Sequence, residues 1–142
     1  MEKQSEVFQN RREFFRIPYT APLEFRAYPA DKSEKLTQRA VAAPTKATSE
    51  NISSSGVLFQ VQKTPPKLSS VLWMNLDIRT LKICREIENR ALIFNNGILG
   101  RVVRVEEDPQ KVNVYNVGVC FLTQDEKSSE QIEQILSGIS KA

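Results

Sequence analysis

V-N-V-Y-N-V-G-V-C-F-L, residues 112–122, runs straight into T-Q-D-E, residues 123–126, and this junction decides the fold. The first part has the composition of a buried strand. Thr123 and Glu126 then make a capping-box pair, hydroxyl and carboxylate satisfying amides left unpaired at a helix start. Ile132, Ile135, Leu136 and Ile139 follow at i, i+3, i+4 and i+7. That spacing predicts a helix opened by Thr123, with one apolar stripe to lay on a sheet. Cys120, inside the apolar run 117–122, reads as a core thiol.

Upstream, 98–106 alternates Ile98, Gly100 and Val102 against Leu99, Arg101 and Val103, then leaves through Arg104 and Glu107 to Asp108-Pro109. Residues 57–61 and 71–78 are short apolar or alternating runs of strand character. The stretch 17–28 reads as a strand interrupted by Pro18 and Pro22, which suits a sheet edge. Pro18 also favours extended backbone at Arg16 and Ile17. Residues 30–48, rich in Ala, Lys, Thr, Ser and Pro, predict an extended surface loop with one poorly defined strand near 36–42. The stretch 81–94 fits a short helix or a strand equally. Several short strands closed by one amphipathic helix predict a mainly β fold. We expect a small antiparallel barrel of six or seven strands with a C-terminal α-helix. The polar start, 1–13, fits a short helix or a flexible arm, and we expect an N-terminal arm over 1–10 ahead of a single domain over 11–142.

The chain has 142 residues, enough to bury a core without metal or disulfide support. It contains no histidine, which removes the commonest general base and metal ligand at neutral pH. Cys84 and Cys120 lie far apart, without C-x-x-C spacing. Lys and Arg exceed Asp and Glu by only 20 to 17, a balance that does not suggest long-range steering toward a nucleic-acid polymer, which usually needs a basic face. A barrel for single-stranded nucleic acid needs aromatics interleaved with basic residues on one face, and only Phe14 and Phe15 sit so. No apolar run approaches membrane-spanning length and no signal peptide is visible, so the expected compartment is a reducing cytoplasm. With no metal cluster, nucleophile motif or phosphate-cradling glycine loop, the sequence reads as a protein without enzymatic activity, metal or cofactor.

Two clusters carry the chemistry. Arg12-x-x-x-Arg16, with Arg11 beside it, offers planar guanidinium forks that match a phosphodiester or the O6/N7 edge of guanine. The same spacing also arises on any solvated helix face. Asn51-x-Ser53-x-x-Gly56 reads as a tight turn before a strand. It is either a plain hairpin turn, with Asn51 satisfying backbone, or part of a ligand site. In the second reading the Asn51 carbonyl oxygen accepts from a guanine edge and the Ser53 hydroxyl donates to a phosphate oxygen. Gly56 then allows the bend, its φ free to be positive.

In conjunction, R-x-x-x-R ahead of the first strand and N-x-S-x-x-G ahead of a later one resemble the PilZ domain family of bacterial cyclic di-GMP receptors. G-V-L-F-Q-V, L-G-R-V-V-R-V-E-E-D and Y-N-V-G-V-C-F-L look like that family's strand series, and the likeness spans 10–140. It implies a stand-alone PilZ-type barrel that binds cyclic di-GMP and signals to a downstream effector protein through its N-terminal arm. Arg12 and Arg16 would grip phosphate and guanine, and Asn51 and Ser53 would meet the other base and its phosphate. Gly56 would serve the turn, and Arg11 would add a contact of the kind that accompanies a stacked ligand dimer. Asn51 stands where Asp is commoner, and Ser55 where a second glycine is often found. The alternative is a PilZ-like adaptor acting through protein contacts without nucleotide.

Overall fold

The computed structural model describes residues 16–28 and 44–141. The expected arm, Arg11 and Arg12, and the strand expected near 36–42 lie outside the described residues. The elements run β1 (Ile17–Pro18), β2 (Pro22–Tyr28), β3 (Thr45–Ser53), β4 (Gly56–Gln62), β5 (Val71–Asn75), α1 (Cys84–Arg90), β6 (Ile93–Phe94), β7 (Gly97–Glu107), β8 (Val114–Phe121), a 3-10 helix (Gln124–Ser128) and α2 (Glu130–Lys141). Six strands close an antiparallel barrel in the order β3-β2-β5-β7-β8-β4, with β4 returning to β3. The two-residue strands are additions, β1 lying on β3 and β6 on β7.

Period-2 alternation fills the barrel. Leu23 and Phe25 of β2, Val57, Phe59 and Val61 of β4, Leu72 and Met74 of β5, and Val117, Val119 and Phe121 of β8 share one core cluster. The Phe25 and Phe59 ring centroids lie 5.2 Å apart. Their strands are not neighbours in the sheet, so this contact spans the interior. Ile87 and Ala91 join the same cluster, so α1 covers the barrel end at which β5 finishes and β7 begins. Residues 81–94 thus hold both a short helix and a short strand.

The apolar stripe of α2 behaves as expected. Ile132, Ile135, Leu136 and Ile139 are buried against Tyr28, Val71 and Leu99 on the outside of the barrel, each contributing about 1.5–3 kcal/mol of gross burial. The helix start differs from expectation. The Thr123–Glu126 capping box is present, but it opens the 3-10 helix. The α-helix begins afresh behind Ser129, whose backbone is extended (φ −69, ψ 147) and whose Oγ accepts from the Ile132 amide at 3.3 Å. Ser129→Ala should therefore cost about 1 kcal/mol; an unchanged urea midpoint would show that this hydroxyl does not hold the helix start.

Three further expectations are corrected. The stretch 17–28 is two strands, because Pro18 and Pro22 leave a corner between them. The strand expected over 71–78 stops at Asn75. Cys120 is exposed, not a core thiol: Val117, Val119 and Phe121 take the inward positions of β8, and alternation turns Cys120 outward with Gly118.

Candidate ligand-binding site

The corner between β1 and β2 positions the first cluster. Pro18 and Pro22 lack amide donors, and the polar groups between them bond to β3 instead. The Tyr19 amide donates to Glu50 O at 3.0 Å and the Ser49 amide to Ala21 O at 2.9 Å. Ser49, 1% exposed, donates its hydroxyl to Tyr19 O and accepts from the Ala21 amide at 3.0 Å. Its side chain thus ties the corner to the barrel. A β-bulge at Glu50 lets β3 pair β2 below and β1 above. Ser49 is a positioning residue that the sequence reading missed, since one more serine in a polar stretch carries no distinguishing pattern.

With β1 so placed, Ile17 lies opposite Ile52 and Pro18 opposite Asn51. Arg16 then reaches across. Its Nη1 donates to Asn51 Oδ1 at 3.0 Å. This bond joins clusters 35 positions apart in the chain. Arg16 is exposed, and among the described residues this one bond engages one of its five donors. The Asn51 carbonyl oxygen accepts from Arg16 and keeps a second lone pair, while its amide NH2 offers donors.

The turn is also tighter than expected. Asn51 and Ser53 belong to β3, which starts at Thr45 rather than after 48, and only Ser54 and Ser55 make the loop to Gly56. Ser53, 4% exposed, accepts the Ser55 amide at 3.2 Å. The acceptors within reach of its own proton are Ser55 Oγ at 3.2 Å and Gly56 O at 3.5 Å, both long for a hydroxyl donor. Its proton is only weakly engaged. Gly56 has no positive φ. It is required for a different reason: a Cβ there would lie 2.3 Å from Val119 O of the adjoining strand.

Outward from this cluster the register lays down a floor. Asn51 pairs Leu58, Leu58 pairs Gly118, and Gly118 pairs Arg104. One row nearer the hairpin, Ser53 pairs Gly56 and Gly56 pairs Cys120. Small side chains, half-buried Leu58 and two glycines leave this outer face low and flat. A Cβ on Gly118 would meet Arg104 Cβ at 3.4 Å, an ordinary contact, so the fold does not demand glycine there.

A groove of about 410 Å³ past the end of β5, lined in part by Asn75, Asp77, Arg79 and Glu88, is the contrasting candidate. There Arg79 bonds both Asp77 carboxylate oxygens, at 2.9 and 3.0 Å, and holds that carboxyl down to about 2. With Glu88 beside a neutralised pair, the described residues of the groove leave no unpaired cation for an anion. The outer face beside Arg16 has one.

The closed barrel thus carries a guanidinium, an amide and a hydroxyl beside one outer face. The chain belongs to the PilZ domain family, whose model matches residues 10–138. That family comprises ligand-binding and adaptor domains and includes receptors for cyclic di-GMP. Comparisons with curated proteins and with solved structures each gave no match. No helix among the described residues is long and apolar enough to cross a membrane.

Proposed function

We propose that this chain is a cyclic di-GMP receptor that passes the signal to a partner protein. The observation that carries the reading is the Arg16–Asn51 bond, which joins the last arginine of one motif to the first residue of the other. Cyclic di-GMP brings two negative charges and two planar bases. Arg16 supplies a charge-assisted fork for a phosphate or a guanine edge, and the Asn51 NH2 supplies donors to guanine acceptors. The weakly engaged Ser53 proton is available to a phosphate oxygen, and the floor around Gly118 accepts a flat base. Arg11 and Arg12 would add cations from the segment that leads into Arg16. Ligand capture would draw that segment onto the barrel and present a new surface to the effector, an ordering switch of a known kind.

Titration calorimetry of the purified full chain with cyclic di-GMP tests the reading. Saturable binding is expected, with little response to GMP, which lacks the second base and the macrocycle. Absence of heat, together with absence of any ligand-induced rise in melting temperature, would overturn it.

A further inference from the structure

We propose that Arg104 is a second cation of the same site, facing Arg16 across the floor, and that Glu106 competes with the ligand for it. The inference rests on the receptor reading and adds a residue from a part of the chain that neither motif includes.

The backbone of β7 goes out of its way to present this side chain. Val102 is 1% exposed and pairs Val119 inside the barrel. In a regular ladder Val103 would come next, opposite Gly118, and Arg104 would turn inward. Instead the register shifts between Val102 and Arg104, so that Arg104 pairs Gly118 and Val103 is the extra residue. Such a bulge re-aims the side chains that follow it. Here it leaves Val103 53% exposed while bringing Arg104 to the outer face. The 3.4 Å approach of a Gly118 Cβ to Arg104 Cβ fixes that face as the one carrying Leu58 and Gly118.

Three strand-to-strand steps separate Asn51 from Arg104, roughly 14 Å at the usual spacing. Arginines at the two edges suit a ligand whose two phosphates lie on opposite sides of one macrocycle. Arg101, the preceding cation on β7, is committed elsewhere. It donates to Ser69 O at 3.0 Å and to Gln131 Oε1 at 3.4 Å, toward α2. Among the described residues Arg104 makes one ion pair, Nε to Glu106 Oε1 at 3.3 Å, with both side chains 61% exposed. Exposed pairs of this kind are weakly held, and the contact leaves the terminal guanidinium nitrogens for an incoming phosphate.

Calorimetry with cyclic di-GMP on the full chain decides the matter. Arg104→Ala should weaken binding about tenfold, with Arg104→Lys in between, since it keeps the charge but loses the fork. Glu106→Gln should tighten binding by about twofold to threefold, a gain that must vanish in the Arg104→Ala background if the two residues act through each other. Melting temperatures should match the unaltered chain throughout. Unaltered protein that binds, with Arg104→Ala binding equally well, overturns the proposal and leaves the receptor reading standing. Failure of the unaltered protein to bind overturns the receptor reading, and this inference with it.

Discussion

Arg16→Ala should lower cyclic di-GMP affinity by ~10–150-fold, the equivalent of one charge-assisted contact at ~1.5–3 kcal/mol, and leave the fold intact. The second half of that expectation follows from exposure. Arg16 sits outside the barrel core, and among the described residues its side chain bonds only to Asn51. Its removal opens no cavity and orphans one half-buried amide oxygen that water can reach. Arg16→Lys should recover only part of the loss, since an ammonium matches the charge but not the two-pronged geometry. Asn51→Ala should weaken binding less, because it frees the guanidinium to wander without deleting it. The double variant should then lose less than the sum of the singles, as expected for side chains in contact. Equal affinity in Arg16→Ala and unaltered protein would take this arginine out of the site. It would also take away the bond on which the union of the two motifs rests.

The parts of this fold legible in the sequence are those where burial and periodicity coincide. α2 shows its stripe because all four of Ile132, Ile135, Leu136 and Ile139 are buried on one side. β8 shows its nature because Val117, Val119 and Phe121 are large and inward. β3 hides. Its inward positions include Ala47 and Ser49, too small or too polar to mark an alternation, so its first residues look like loop and its last like turn. α1 hides for another reason: seven residues with Ile87 as the only buried one cannot establish a period. Thr123 misled because a capping box reports a helical start without reporting which kind, and Ser128-Ser129 provides a second start. The exposure of Cys120 was legible in principle, since the strand rule that buries Val119 and Phe121 turns residue 120 outward.

The site divides in the same way. Residue types in both motifs pointed to an anion and a base edge, and the structure brings Arg16, Asn51, Ser53 and Gly56 to one end of the barrel. The Asn51–Arg16 bond was not foreseeable from spacing, because it depends on a corner held by Ser49 and on a bulge at Glu50. Nor was the outward placement of Arg104, which depends on a second bulge. Bulges change which residues share a face without leaving a mark in composition.

Gly56→Ala and Gly118→Ala separate stability from binding. At Gly56 the added methyl would lie 2.3 Å from Val119 O and 3.3 Å from Val119 C. Both are backbone atoms of the paired strand and cannot swing aside. Backbone conformation is not the cause, since no glycine described has positive φ and alanine in an open strand would be favoured over glycine. The clash alone decides the sign. Forcing β4 and β8 apart beside the hairpin should cost ~1–3 kcal/mol, about 3–12 °C in melting temperature for a domain of this size, and should also shift Ser53. At Gly118 the same methyl meets one side-chain carbon at 3.4 Å, so melting should stay where it is. That methyl would nonetheless stand on the floor between Leu58 and Arg104 and hold a flat base away, weakening cyclic di-GMP binding severalfold. Thermal melts that failed to separate Gly56→Ala from unaltered protein would contradict the close approach of the two strands. Unchanged affinity in Gly118→Ala would move the ligand off this face of the barrel.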